Sequence, residues 1–145
     1  MPLGSFTLDE TGRKIAFLSG GIGITPIRSM CKYAIDTNLP VDVVLLYGNN
    51  TAGDIIFRDD FDNMASFSSN LRVIYTLTAA EADKNWPGKR GYIDAGMIEQ
   101  EIPDYKQRLF YVCGPPRMVE TLVNVLKNDL RIGAGSIKLE NFSGY

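Results

Sequence analysis

Histidine is absent from this 145-residue chain. That removes Ser-His-Asp and Cys-His catalysis, histidine metal ligands and the usual near-neutral proton shuttle. Cysteine is scarce too: Cys31 and Cys113 are the only two, and they form no C-x-x-C pair. A disulfide framework, an iron–sulfur cluster and a zinc site are all unsupported, and no metal ligand is assigned. No apolar run approaches membrane length, and the opening Met-Pro-Leu-Gly-Ser has no signal-peptide pattern. A reducing, cytoplasmic compartment is the resulting expectation, so Asn49-Asn50-Thr51 and Asn141-Phe142-Ser143 match the glycosylation pattern by chance. Fifteen basic residues stand against 17 acidic ones, a formal −2 with no basic block, which argues against nucleic acid as a partner. Chemistry must come from elsewhere, and a bound cofactor is the obvious source.

The chain is the length of one domain, enough to bury a core without staples. Lys14–Ser19, Val41–Tyr47, Leu71–Thr76, Arg108–Cys113 and Ser136–Asn141 read as strands, rich in β-branched and apolar residues. Between them, Pro26–Asp36, Asp54–Phe67, Asp94–Ile102 and Pro116–Leu130 read as helices, with Asp94 as a cap. Thr78–Gly91, centred on Trp86-Pro87-Gly88, reads as a long loop. Strands alternating with helices predict an α/β fold: an open, mostly parallel five-stranded sheet with helices on both faces. Ligands then belong at the carboxyl ends of the strands.

Residues 16–26, Ala-Phe-Leu-Ser-Gly-Gly-Ile-Gly-Ile-Thr-Pro, carry the strongest local signal. Gly20, Gly21 and Gly23 free the backbone of Cβ atoms where the strand turns. Thr25 is placed as an N-cap and Pro26 as the first helical residue. The unpaired N–H groups of that helix then suit a pyrophosphate. The same turn also suits plain helix–strand packing. It is not the common fingerprint, because Pro26 stands where G-x-G-x-x-G needs its last glycine. The acid expected on the ribose about twenty residues on is missing too, with Gly48-Asn49-Asn50 in its place. Cys113-Gly114-Pro115-Pro116 ends a second strand on the same edge; Cys113 is either a small buried residue or a ligand contact there. Cys31, on the inner face of the first helix, reads as packing.

Gly20-Gly-Ile-Gly-Ile-Thr-Pro26 together with Cys113-Gly-Pro-Pro116 resembles the NAD(P)-binding domain of the ferredoxin–NADP reductase and cytochrome b5 reductase family. Leu46-Tyr47-Gly48-Asn49-Asn50, then Ile55-Ile56-Phe57-Arg58-Asp59, resembles its second strand and following helix. Arg90-Gly91-Tyr92-Ile93 is similar to its loop before the next short helix. Leu3-Gly4-Ser5-Phe6 resembles the last strand of the preceding flavin domain. Residues 1–10 are thus expected to be that remnant or a linker, and residues 11–145 the NAD(P)-binding domain, with a ferredoxin reductase-like nucleotide-binding fold.

The resemblance implies roles. Gly20, Gly21, Ile22, Gly23, Thr25 and Pro26 would hold the pyrophosphate and approach the nicotinamide. Cys113 would pack against the nicotinamide C4 region, with Gly114, Pro115, Pro116 and Met118 along the cofactor wall. Glu140 resembles the family's carboxylate near the nicotinamide, so Cys113 and Glu140 are the catalytic candidates. Gly48, Asn49, Asn50 and Thr78 occupy the positions after the second and third strands, where many NADP-using members carry arginine or a serine–arginine pair. A guanidinium fork best reads a phosphate, so NADH is favoured over NADPH, with Lys84, Lys89 and Arg90 read as solvated loop charges. Tyr145 reads as a frayed terminus. The Arg-x-Tyr-Ser/Thr signature for flavin phosphate is missing. FAD must therefore sit on a flavin-binding domain in cis or trans, which passes electrons to an acceptor protein or small molecule. The implied function is an NAD(P)H-dependent flavoprotein reductase, inactive as this domain alone. A nucleotide-sensing domain of the same fold, or a docking subunit of an electron-transfer complex, is the alternative.

Overall fold

The computed structural model describes residues 14–79, 81 and 83–141. Its strands are β1 (Lys14–Gly20), β2 (Asp42–Asn49), β3 (Leu71–Leu77), β4 (Lys89–Arg90), β5 (Arg108–Gly114) and β6 (Ile137–Asn141). They form one sheet in the order β4-β3-β2-β1-β5-β6, and every pairing is parallel. The helices are α1 (Ile24–Asp36), α2 (Arg58–Phe67), α3 (Ala95–Glu101) and α4 (Pro116–Asn124), the last continued by a π-type turn at Val125–Asp129.

Side-chain alternation divides the core in two. Ile15, Phe17, Leu45, Tyr47 and Tyr111 face α1 and α2, whereas Ala16, Leu18, Leu46, Phe110 and Val112 face α3 and α4. The central strands are apolar at consecutive positions because both faces are covered. Each fully buried Leu, Ile or Phe contributes about 1.5–3 kcal/mol. The chain winds outward from β1 to β4 and then crosses back to β5, so the strand order reverses between β1 and β5. Crevices at such reversals are where open α/β sheets take ligands.

Four details depart from the sequence reading. The sheet has six strands, because Lys89 and Arg90 pair with Thr76 and Leu77 inside the stretch read as loop. A two-residue strand leaves no periodicity to read. Helix α2 starts at Arg58, not Asp54: Thr51 and Asp54 close a separate capped 3-10 turn, and Phe57 is left-handed at φ 62°. Helix α1 starts at Ile24, preceded by a 3-10 turn at Gly21–Gly23, so Thr25 lies inside the helix and is not its N-cap. Pro26 is accordingly the third helical residue and not the first. Asp94 caps α3 as expected, its Oδ1 accepting from the Met97 N–H at 2.8 Å. The strand-like Leu3–Leu8, the residue 1–10 boundary and Tyr145 lie outside the described residues. Among the described residues no helix is long and apolar enough to cross a membrane.

The amino edge of the sheet is fastened by Arg108, which is 6% exposed. Its guanidinium donates to the Ile15 and Asp42 carbonyls at 2.9 and 3.0 Å and forks onto Asp104. This staple ties β1, β2 and β5 together at the end opposite the crevice.

Candidate nucleotide site

At the carboxyl edge, the β1–α1 turn lies directly against the end of β5. A Cβ on Gly23 would stand 2.6 Å from Gly114 Cα and 2.8 Å from the Cys113 carbonyl oxygen. Gly20 and Gly48 are register partners, and the Met118 thioether fills the space beside Gly20 and Gly114, 2.8 and 2.9 Å from where their Cβ atoms would be. Gly21 takes φ +56°, with nothing within 4 Å of its missing Cβ. Neither the Gly21–Gly23 turn nor α1 has a side-chain N-cap or an acid in its first turn. The N–H groups there are left for an outside acceptor, and the helix dipole favours an anion. Thr25 is exposed beside them; for Ile22 the backbone alone is described.

Cys113 is register partner to both Ser19 and Glu140, which places all three at one level of the edge. The Cys113 side chain is fully buried in the α1-side core. Glu140 is located by its backbone only. Pro115 precedes α4 as N-cap residue and Pro116 takes its first position, so the helix starts at once after the strand.

Beside this crevice, the ends of β2 and β3 are tied together. The Thr78 N–H donates to the Asn49 carbonyl at 2.8 Å, and Thr78 Oγ1 donates to Asn50 Oδ1 at 2.6 Å. Asn49 is 6% exposed, and its Nδ2 has no acceptor among the described residues. The neighbouring Tyr47 hydroxyl, which the Asn49 amide approaches, donates to the Ile56 carbonyl and accepts from the Ile56 N–H, both at 3.1 Å. Burial pushes the Tyr47 hydroxyl above its ordinary pKa, and burial followed by the hydrogen bond to Asp62 does the same for Tyr75. An orphaned buried donor costs about 1–3 kcal/mol unless a ligand or water meets it. The row from β5 to β3 spans three strand spacings, about 14 Å. It has the uncapped glycine turn at one end and polar groups at the other, over a length that suits an extended dinucleotide.

Sequence reasoning gave no role here to Asp83, Tyr75, Trp86 or Tyr92. Asp83 Oδ2 accepts from the Ala52 N–H at 2.8 Å, tying the β3–β4 connection to the end of β2. Trp86 and Tyr75 bracket the Arg58 guanidinium, 5.0 and 5.7 Å from their ring centres. Tyr92 is 75% exposed just after Gly91, an aromatic surface on this edge. Only the turn residues around Trp86 signalled any of this. Lys89 turns away to Glu101 and Gln100, at 2.9 and 2.7 Å, and Arg90 donates to the Asp83 carbonyl.

A pocket of about 240 Å³ lies at the opposite end of the sheet, lined by residues such as Cys31, Leu39, Val41, Phe67 and Leu71. No charged side chain lines it, and burial pushes the Cys31 thiol up to about 12. An inert thiol and an uncharged lining give this pocket no reactive group. The described residues contain no cluster able to hold a metal.

A parallel sheet with a glycine turn at its reversal point and an uncapped helix start defines a nucleotide-binding α/β domain. The chain belongs to the oxidoreductase NAD-binding domain family, whose model matches residues 17–124. It is 35% identical over 130 residues to the glycine betaine monooxygenase reductase subunit of Chromohalobacter salexigens, covering 88% of this chain and 35% of that protein. Identity to a Na(+)-translocating NADH-quinone reductase subunit from Yersinia pestis is 28% over 147 residues, covering 99% and 36%. The solved CS-b5R domains of human Ncb5or in the NAD+ form superpose with a TM-score of 0.81 at 27% identity, over 94% of this chain and 39% of that one. The chain thus spans about a third of the length of these curated relatives. The expected likeness to cytochrome b5 reductase and ferredoxin reductase domains is met, and the family is one of NAD-binding domains.

Proposed function

We propose that this domain binds NADH along its carboxyl edge and serves a flavin-dependent reductase whose FAD is held by a separate domain. The observation that carries the reading is the uncapped Gly21–Gly23 turn lying against Gly114 at the sheet's reversal point. Its N–H groups, with Gly20, Ile22, Thr25 and Pro26 around them, would hold the pyrophosphate. Gly48, Asn49, Asn50 and Thr78 would take the adenosine side, where the Asn49 amide lacks an acceptor. Exposed Tyr92 offers the adenine an aromatic surface.

Reduced nicotinamide supplies a hydride for the flavin. The chain's part is placement. Cys113, packed beneath the edge, and Gly114, Pro115, Pro116 and Met118 around it would fix the nicotinamide end. Glu140, opposite Cys113 in β6, would bring a carboxylate to the same level. Electrons would pass from the flavin to an acceptor protein or small molecule. The resemblance to reductase subunits supports this, with the FAD carried by a flavin-binding domain in cis or trans.

Calorimetric titration with NADH and NADPH side by side, followed by addition of a flavin domain, tests the reading. NADH binding with restored diaphorase activity supports it. Binding without turnover would instead favour a nucleotide-sensing domain, and binding of neither nucleotide would sink the site assignment.

A further inference from the structure

The missing ribose acid has a replacement from elsewhere in the chain. Where a dinucleotide lays its pyrophosphate on the β1–α1 turn, its adenosine ribose falls at the end of β2, and a carboxylate there accepts from the 2′-hydroxyl. After β2 the chain reads Asn50-Thr51-Ala52-Gly53, and Asp54 is committed to Thr51, accepting from its N–H at 3.2 Å and from Oγ1 at 3.0 Å. Asp83 arrives from the β3–β4 connection, 31 positions beyond Ala52, and its Oδ2 takes the Ala52 N–H.

Three features fix Asp83 in place. Its carboxylate is held by Ala52, and its carbonyl accepts from Arg90 Nη2. Its backbone sits in the left-handed region at φ 50°, a conformation that costs free energy and is kept where the surroundings demand it. The cations around it are largely committed. Arg58 is bracketed by Trp86 and Tyr75 and lies 3.9 Å from Asp62. Lys89 is paired with Glu101, Arg90 is held at the Asp83 carbonyl, and Lys84 is exposed on the loop. At the end of β2, three positions before Ala52, the buried Asn49 amide adds a polar group to this edge.

We propose that Asp83 is the residue by which this edge selects NADH over NADPH. Its carboxylate accepts from ribose hydroxyls and repels the doubly negative 2′-phosphate. The proposal rests on the nucleotide reading above. A plain structural tether would give Asp83 the same hydrogen bond, and Asp83→Asn separates the two. The amide oxygen still accepts from Ala52, whereas the charge is gone.

The test is calorimetric binding of NADH and of NADPH at low salt to wild type and Asp83→Asn, with far-UV spectra and melting curves to confirm an unchanged fold. Wild type should bind NADH more tightly. In the variant, NADPH affinity should rise about tenfold, the size of the repulsion between a carboxylate and a phosphate in a water-like medium. NADH affinity should fall by roughly two- to fivefold as a charged acceptor becomes a neutral one. Asp83→Ser, which lacks the charge but keeps an acceptor, should shift the ratio the same way. An unchanged NADPH-to-NADH ratio in folded variants that still bind NADH overturns the role of Asp83 alone. A wild type that binds neither nucleotide overturns the underlying site reading.

Discussion

Gly23 and Gly114 meet backbone to backbone, close enough that a single methyl group on Gly23 would come within 2.6 Å of Gly114 Cα. That contact joins the two motifs separated by some ninety residues of chain. It is why the β1–α1 turn and the β5–α4 turn line one crevice and not two. The neighbouring contacts are softer, since a Cβ on Gly20 would meet the far end of Met118, a side chain that can swing aside.

Gly23→Ala should therefore force the turn away from β5 and destabilise the domain by about 1–3 kcal/mol, with loss of NADH binding in the folded fraction. Gly20→Ala should cost less and leave the fold intact. Urea denaturation of both variants checks the order. If Gly23→Ala proves the milder of the two, the backbone contact is not what closes the crevice.

Gly21 tests a different property of the same turn. Its surroundings are open, and the cost of a side chain there is purely its φ of +56°. Gly21→Ala should lower stability by roughly 1–2 kcal/mol through the left-handed backbone alone. Chemical denaturation gives the figure. A neutral result would mean that the turn relaxes to another conformation.

Much of this architecture was legible because it is written locally. β1, β2 and β5 are apolar at successive positions, which is what burial on both faces requires. Asp94 stands three residues ahead of the Met97 N–H it accepts from, so its cap is visible in a four-residue window. Both site motifs sit at strand ends, where glycine and proline punctuate the pattern. The parts that escaped are those fixed across the chain. Phe57 is held left-handed under the Arg28 guanidinium, 4.7 Å above its ring, while Arg28 pairs with Asp60 at 2.7 Å. Asp83 finds Ala52 over 31 positions. Thr25 looked like a cap because the 3-10 turn that starts the helix earlier consists of Gly21-Ile22-Gly23, which carries no helix-start signal.

Cys113→Ala should be tested in the complete reductase. The thiol is fully buried, so its removal should cost about 1 kcal/mol of stability, in the range of losing one buried methyl-sized group. If the side chain supports the nicotinamide end, as proposed, flavin reduction in single turnover should slow far more than NADH binding weakens. Rapid-mixing absorbance of the flavin gives the rate. Unchanged reduction would leave Cys113 as packing only.

Asp104 ties the acid stability of the domain to the staple at the opposite edge. The Arg108 guanidinium, with help from Lys14, outweighs partial burial and holds the Asp104 carboxyl at about 2, below its ordinary 3.8. The folded state thus binds fewer protons at this group than the unfolded chain does. Its contribution is complete above about pH 4 and is lost as the pH falls through about 2. Asp104→Asn should flatten that part of the stability–pH curve and change little in slope near neutrality. Arg108→Met should do more harm. It strands the Ile15 and Asp42 carbonyls that the guanidinium now meets, at a cost of about 2–4 kcal/mol. Denaturation midpoints measured from pH 2 to pH 7 separate the two effects. A slope that survives in Asp104→Asn would assign the acid transition to another carboxylate.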